Sequence, residues 1–183
     1  MRKVIYGINL TTDGCCDHTK FNGSEEIQDY FAELMKEADL IVYGRKTYQL
    51  MVPYWPEIAK NQSGTKSEQD FAQTFNAIHK VVFSRSLAQA EENTTLISAN
   101  LEEEFLKLKQ SPGKNISIGG VSLPAQLIAL GLVDEFYFVV HPIIVGQGRR
   151  LFEDTNFPES LNLKLVDSNT LKSGCVALHY LKK

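Results

Sequence analysis

Ile118-Gly119-Gly120-Val121-Ser122-Leu123-Pro124 carries the chain from a short apolar strand into a helix, and its surroundings decide the fold. Just upstream, Asn115–Ile118 has the β-branched character of a buried strand. Downstream, Ser122 and Pro124 sit in a first helical turn, and Gly131 supplies the stop. The next apolar run, Glu135–Val140, follows almost at once. Strand, crossover helix and strand in so short a span form a parallel unit, because parallel neighbours need such a crossover.

The same alternation extends towards the N-terminus. Strands are expected at about Val4–Leu10, Leu40–Tyr43, Lys80–Ser84 and Thr95–Ser98. Between the first two, Ile27, Tyr30, Phe31, Leu34, Met35 and Ala38 recur at helical spacing, with Ser24 as N-cap. Asn100, followed three residues later by Glu103, opens another helix whose Leu101, Phe105 and Leu108 face inward. Beyond Val140 the pattern changes to period two, first over Leu161, Leu163 and Leu165, then over Val176, Leu178 and Tyr180. With no helix between them, these last strands should pair antiparallel. The expected fold is a three-layer α-β-α arrangement, α/β in class, with a mostly parallel eight-stranded sheet ending in antiparallel strands. Residues 1–183 form one domain in this reading. The polar stretch Asn61–Asp70 reads as a mobile loop beside Tyr54 and Trp55.

Composition narrows the function. With 19 basic against 22 acidic residues the net charge is −3, so no basic field exists to neutralise a nucleic acid. The apolar run after Met1-Arg2-Lys3 is interrupted by Gly7 and Asn9, too soon for a signal peptide or a membrane span. Three cysteines, two of them adjacent (Cys15, Cys16 and Cys175), make no disulfide framework, which points to a reducing cytoplasm. Cys15-Cys16-Asp17-His18 lacks the ligand spacing of a structural zinc site, so no metal is expected.

Three stretches can carry chemistry. The Gly119-Gly120 turn lets a ligand approach the backbone where free helix N–H groups attract phosphate. Gly44-Arg45-Lys46-Thr47-Tyr48 enters a helix directly after a strand, gathering two cations and a hydroxyl into a plausible pyrophosphate cradle. Ser84-Arg85-Ser86 follows another strand, where an arginine between hydroxyls can read an extra phosphate. Taken singly, each also fits a tight packing turn or a solvated loop. All three, however, follow strands of one sheet, and ligands of open α/β sheets bind at strand carboxyl ends.

In order along the chain, these residues resemble the dihydrofolate reductase superfamily, closest to the reductase domain of the riboflavin-biosynthesis deaminase-reductase. The resemblance runs through Thr12-Asp13-Gly14, Gly44-Arg45-Lys46-Thr47-Tyr48, Val82-Phe83-Ser84-Arg85, Ile118-Gly119-Gly120, Gly131-Leu132-Val133-Asp134-Glu135 and Pro142 to Gly148. It implies a reductase that binds NADPH and passes hydride to a small heterocyclic or carbonyl substrate, similar to 5-amino-6-(5-phosphoribosylamino)uracil reductase. By that resemblance Gly44, Arg45, Lys46 and Thr47 hold cofactor phosphates, and Ser84 and Arg85 read the 2′-phosphate. Gly119, Gly120 and Val121 lie against the pyrophosphate, while Asp13 and Gly14 border nicotinamide and substrate. A homodimer is implied as well.

The departures are specific. The acidic residue that folate enzymes place on the first long helix falls on Gln28 or Asp29. The arginine that binds the folate tail is replaced by Ile78, which cannot pair a carboxylate, so folate is not the expected substrate. The proton that follows the hydride is left to Asp13, Asp29 or water. No deaminase signature of H-x-E with P-C-x-x-C occurs. The alternative is a nucleotide-binding or regulatory module of the same fold without turnover. A third possibility is a structural α/β protein whose glycine turns only pack.

Overall fold

Leu40-Ile41-Val42-Tyr43 is apolar at every position because both of its faces are covered. In the computed structural model, which describes residues 1–157 and 159–183, this stretch lies in β2 (Ala38–Gly44). Leu40 and Val42 join a core with Val4, Tyr6, Val81, Ile116, Ile118 and Phe136. That core is closed by Phe105 of α5 (Leu101–Gln110) and by Leu123, Leu127 and Ile128 of α6 (Ser122–Ala129). Ile41 and Tyr43 point the other way, towards α1 (Glu25–Lys36), α2 (Arg45–Met51), α3 (Tyr54–Asn61) and α4 (Lys66–Ala77). There they meet Ala32, Met35, Tyr48, Phe71 and Phe75. The two-residue period of the strand thus builds the three layers, and each large side chain fully buried in them contributes about 1.5–3 kcal/mol.

The remaining strands are β1 (Val4–Thr11), β3 (His79–Phe83), β4 (Thr94–Ile97), β5 (Asn115–Ile118), β6 (Glu135–His141), β7 (Leu163–Thr170) and β8 (Val176–Lys182). They form one eight-stranded sheet in the order β4-β3-β2-β5-β1-β6-β8-β7. Every pair from β4 to β6 is parallel, and β8 pairs antiparallel with both β6 and β7. The expected α/β class, strand number and antiparallel ending all appear. The caps are also where the sequence places them: Ser24 Oγ accepts from Ile27 N, and Asn100 Oδ1 accepts from Glu103 N.

Two expectations need correction. Most of Asn61–Asp70 is not an open loop, since α4 starts at Lys66 behind a complete capping box. Thr65 Oγ1 accepts from Glu68 N, and the Glu68 carboxylate accepts from Thr65 N at 2.7 Å. Leu161 lies outside β7, and β7 is an edge strand with Leu165 and Val166 about half exposed rather than a half-buried one.

The topology fixes where a ligand can enter. The connection after β1 runs to the α1–α4 face, and the one after β5 runs to the opposite face through α6. β1 and β5 are hydrogen-bonded neighbours, so crossovers leaving to opposite sides open a crevice at their carboxyl ends.

Candidate functional site

The crevice is a cleft with two communicating halves. Ile8, Asn9, His18, Thr47, Leu50, Met51, Gly119 and Gly120 line both.

The first half, about 770 Å³, gathers Gly44, Arg45, Lys46, Gly119, Gly120, Val121, Ser122 and Arg149. Its walls are two helix starts. The N-cap of α2 is Gly44 and that of α6 is Val121, so neither is capped by a side chain. The backbone N–H groups of Gly120 and Val121 also have no acceptor among the described residues. Gly120 has φ +88°, and a Cβ there would overlap Thr47 Oγ1. A Cβ on Gly119 would sit 2.5 Å from the ring of Tyr43. The tyrosine of β1 fixes this turn, because the Tyr6 hydroxyl donates to Gly120 O at 2.8 Å. Exposed Arg45 and Lys46 add positive charge to unpaired N–H donors. Such a surface suits anionic groups such as phosphates. The expected residues of the two turns therefore come together. Ser84 and Arg85 lie just past the end of β3, whose Phe83 pairs with Gly44 of β2, so they flank this half without lining it. The Ser84 hydroxyl accepts from Ser86 N and Leu87 N, which holds the turn that presents exposed Arg85.

The second half, about 520 Å³, is walled by Phe31, Leu34, Met35, Trp55 and Phe71, with Tyr43 at its back. Trp55 packs against Phe71 at 4.4 Å between ring centres, and Phe71 and Tyr43 both stack on Phe75. The wall is thus a rigid aromatic cluster.

The expected catalytic carboxylates are not there. Asp13 accepts from Thr11 Oγ1 at 2.6 Å and from Gly146 N at 3.0 Å, and it pairs with Arg150 at 3.3 Å. The Thr11 hydroxyl first, with the Gly146 and Val145 amides, holds its pKa at about 2. Asp13 therefore stays ionised through the neutral range and ties the Thr12–Cys16 turn to the Val145–Arg150 turn. Its neighbour Gly14, expected beside the substrate, belongs to the same knot, where its carbonyl accepts from Leu151 N. Asp29 is exposed on the outer side of α1, whereas Gln28 lines the cleft. Cys16 lines the first half, and Cys15 is buried. No cluster of His, Cys, Asp and Glu able to hold a metal occurs among the described residues.

Sequence reasoning found Thr47, Gly119 and Gly120 of the residues shared between the halves, but missed Ile8, Asn9, Leu50 and Met51 and most of the aromatic wall. Asn9 is a polar residue in the middle of an apolar strand, and that signal was available. Its Oδ1 lies 3.0 Å from Nε2 of His141, and burial lowers the pKa of that imidazole. A neutral His141 donates to Asn9 Oδ1 and leaves the Asn9 NH₂ facing the cleft.

The RibD C-terminal domain family matches residues 2–177. The chain belongs to that family. Uncharacterized protein YyaP of Bacillus subtilis is 35% identical over 98% of this chain and 94% of its own length. Among solved structures, a putative riboflavin biosynthesis protein from Shewanella sp. PV-4 superposes with TM-score 0.74 at 18% identity, covering 99% of both chains. Dihydrofolate reductase from Enterococcus faecalis, solved with NADP(H), gives TM-score 0.63 at 12% identity over 99% of this chain and 96% of that one. At those identities the structural likeness establishes a shared fold. It places this RibD C-terminal domain among dihydrofolate reductase-like sheets, as the resemblance implies.

Proposed function

We propose that this chain is an NADPH-dependent reductase acting on a small heterocyclic or carbonyl substrate. The observation that carries the reading is the divided cleft. A cationic cradle of unpaired N–H groups adjoins an aromatic compartment, and the two share Asn9, Thr47 and the Gly119-Gly120 turn. Gly44, Arg45, Lys46 and Thr47 would hold cofactor phosphates, with Gly119, Gly120 and Val121 against the pyrophosphate and Ser84 and Arg85 at the 2′-phosphate. When bound, NADPH supplies a hydride to an electron-poor C=O or C=N carbon, and water supplies the proton that completes the reduction. The chain's own contribution is to align the two reactants and exclude solvent between them. Asp13 is committed to its own hydrogen bonds and Asp29 faces solvent, so neither serves as proton donor in this reading.

The fold relatives support it in kind. The Enterococcus enzyme is described with NADP(H), and the bifunctional Thermotoga maritima protein is named a deaminase and 5-amino-6-(5-phosphoribosylamino)uracil reductase. The reading extends to a cytoplasmic homodimer with its three thiols free.

Fluorescence titration with NADPH and NADH tests it. Micromolar binding of NADPH, weaker binding of NADH and loss of that preference in Arg85→Ala are expected. Failure of both nucleotides to bind removes the cofactor and the reductase with it. Tight binding without turnover on any carbonyl, pterin or quinone substrate leaves a nucleotide-binding module instead.

A further inference from the structure

The aromatic half of the cleft is notable for the charge it lacks. Among the described residues lining it there is no lysine, arginine, aspartate or glutamate. Arg45, Lys46 and Arg149 all line the other half. His18 borders both halves at their junction. A phosphate or carboxylate entering this compartment would lose its hydration shell and gain no cationic partner, which opposes binding strongly.

The polar groups present are neutral. Tyr43 is 6% exposed and its hydroxyl has no hydrogen-bond partner among the described residues. It is nonetheless not sealed in, since Thr94 Oγ1 is the one fully enclosed side-chain polar atom without a partner among them. Tyr43 lines the cavity. Burial raises its pKa, so it stays a donor at any ordinary pH. The Gln28 side chain also has no partner among the described residues, and Asn9 offers the NH₂ left free by His141. These groups can read carbonyl or ring-nitrogen edges, while Phe31, Trp55 and Phe71 provide apolar surface for a flat ring.

We infer that the substrate of this compartment is an uncharged, planar aromatic carbonyl or imine compound carrying no phosphate or carboxylate. The inference rests on the reductase reading for the word substrate; the ligand class itself follows from the lining. It separates this chain from the phosphoribosyl chemistry named for the Thermotoga protein.

Calorimetric titration of the intact protein with a matched pair tests it: 6-hydroxy-2-acetonaphthone and its phosphate monoester. With inorganic pyrophosphate saturating the cationic half, the neutral ketone should bind at least about tenfold more tightly than the ester, because only the ester must desolvate a dianion in the aromatic half. Gln28→Arg, which places a cation in the lining, should reverse that order. Equal or tighter binding of the phosphate ester by the wild-type protein overturns the inference, as does binding of neither compound. NADPH titration of the same preparation tests the reductase reading separately. A preserved ketone preference without NADPH binding removes the cofactor and leaves the ligand class standing. A lost preference with NADPH binding intact does the reverse.

Discussion

Gly120→Ala is the sharpest test of the nucleotide cradle. At φ +88° an alanine is strained by about 1–2 kcal/mol, since its Cβ crowds the neighbouring carbonyl. The new methyl would also overlap Thr47 Oγ1 and approach Thr47 Cβ at 3.1 Å. One side must retreat by about 1 Å to restore ordinary contact, an overpacking cost of about 1–3 kcal/mol. A chain of this size loses about 2–4 °C in Tm per kcal/mol, so Tm should fall by roughly 4–20 °C. NADPH affinity should fall by at least about tenfold, because the displaced turn carries the Gly120 and Val121 N–H donors. Gly146→Ala is the control. It has φ +71° but nothing within 4 Å of the added Cβ, and it lies outside the cradle. It should show the backbone strain alone and keep NADPH affinity. Adding Thr47→Ala to Gly120→Ala removes the hydroxyl overlap and should recover part of the Tm, leaving the strain at φ. Wild-type NADPH affinity in Gly120→Ala, or an equal loss in Gly146→Ala, would refute the assignment of this turn.

Three other outcomes follow from charge and capping. Asp13→Asn should lower Tm and leave the pH profile of turnover unchanged between pH 5 and 8. The depressed pKa means that the carboxylate's contribution is present above the unfolded value of 3.8 and lost as pH falls through about 2. A new or missing ionisation in that profile would restore Asp13 to the chemistry. Lys80 is 3% exposed, with its pKa lowered by burial to about 8, so its charged form costs about 3 kcal/mol in the folded state. That cost is complete below pH 8 and is relieved as pH rises towards 10.5, where the unfolded chain also loses the proton. Lys80→Met should therefore raise the Tm measured at pH 7. The carbonyls of Ile78 and Asn76 keep Asn93 Nδ2 as donor, so a lower Tm would count against the burial argument. Thr65→Ala should cost about 0.5–2 kcal/mol in denaturant unfolding, through loss of the α4 capping box.

The legible parts of the fold were those whose cause is local. Ser24 and Asn100 cap the helices they precede, and the all-apolar β2 declares a strand covered on both faces. The stretch from Asn61 to Asp70 was misread because Gly64 and a run of polar side chains resemble a loop. The deciding signal, Thr65 with Glu68 three residues on, is only four residues long. Behind it Phe71, Ala72 and Phe75 mark the buried face of α4. The cationic half of the cleft was legible for a related reason, since each of its two glycine-bearing turns is a contiguous segment following a strand. The aromatic half was not. Phe31, Tyr43, Trp55 and Phe71 come from α1, β2, α3 and α4, and packing alone brings them together.

Helix rotation decides between Gln28 and Asp29. Successive residues of a helix point about 100° apart, so a shift of one position exchanges the cleft for solvent. Ile27 is buried, Gln28 lines the compartment and Asp29 is exposed. The residue that faces the cleft is therefore an amide, and the acid beside it is solvated. That rotation changes the chemistry available to the site. A carboxylic acid against this aromatic wall would have its pKa raised and could deliver a proton, whereas an amide can only donate or accept hydrogen bonds. Together with Asp13, which is held ionised in the turn it organises, this leaves the aromatic half as a neutral surface of donors and rings. In the proposed reading, selectivity there rests on shape and hydrogen bonding, and the charged side chains of the cleft are concentrated in the other half, where phosphates would lie.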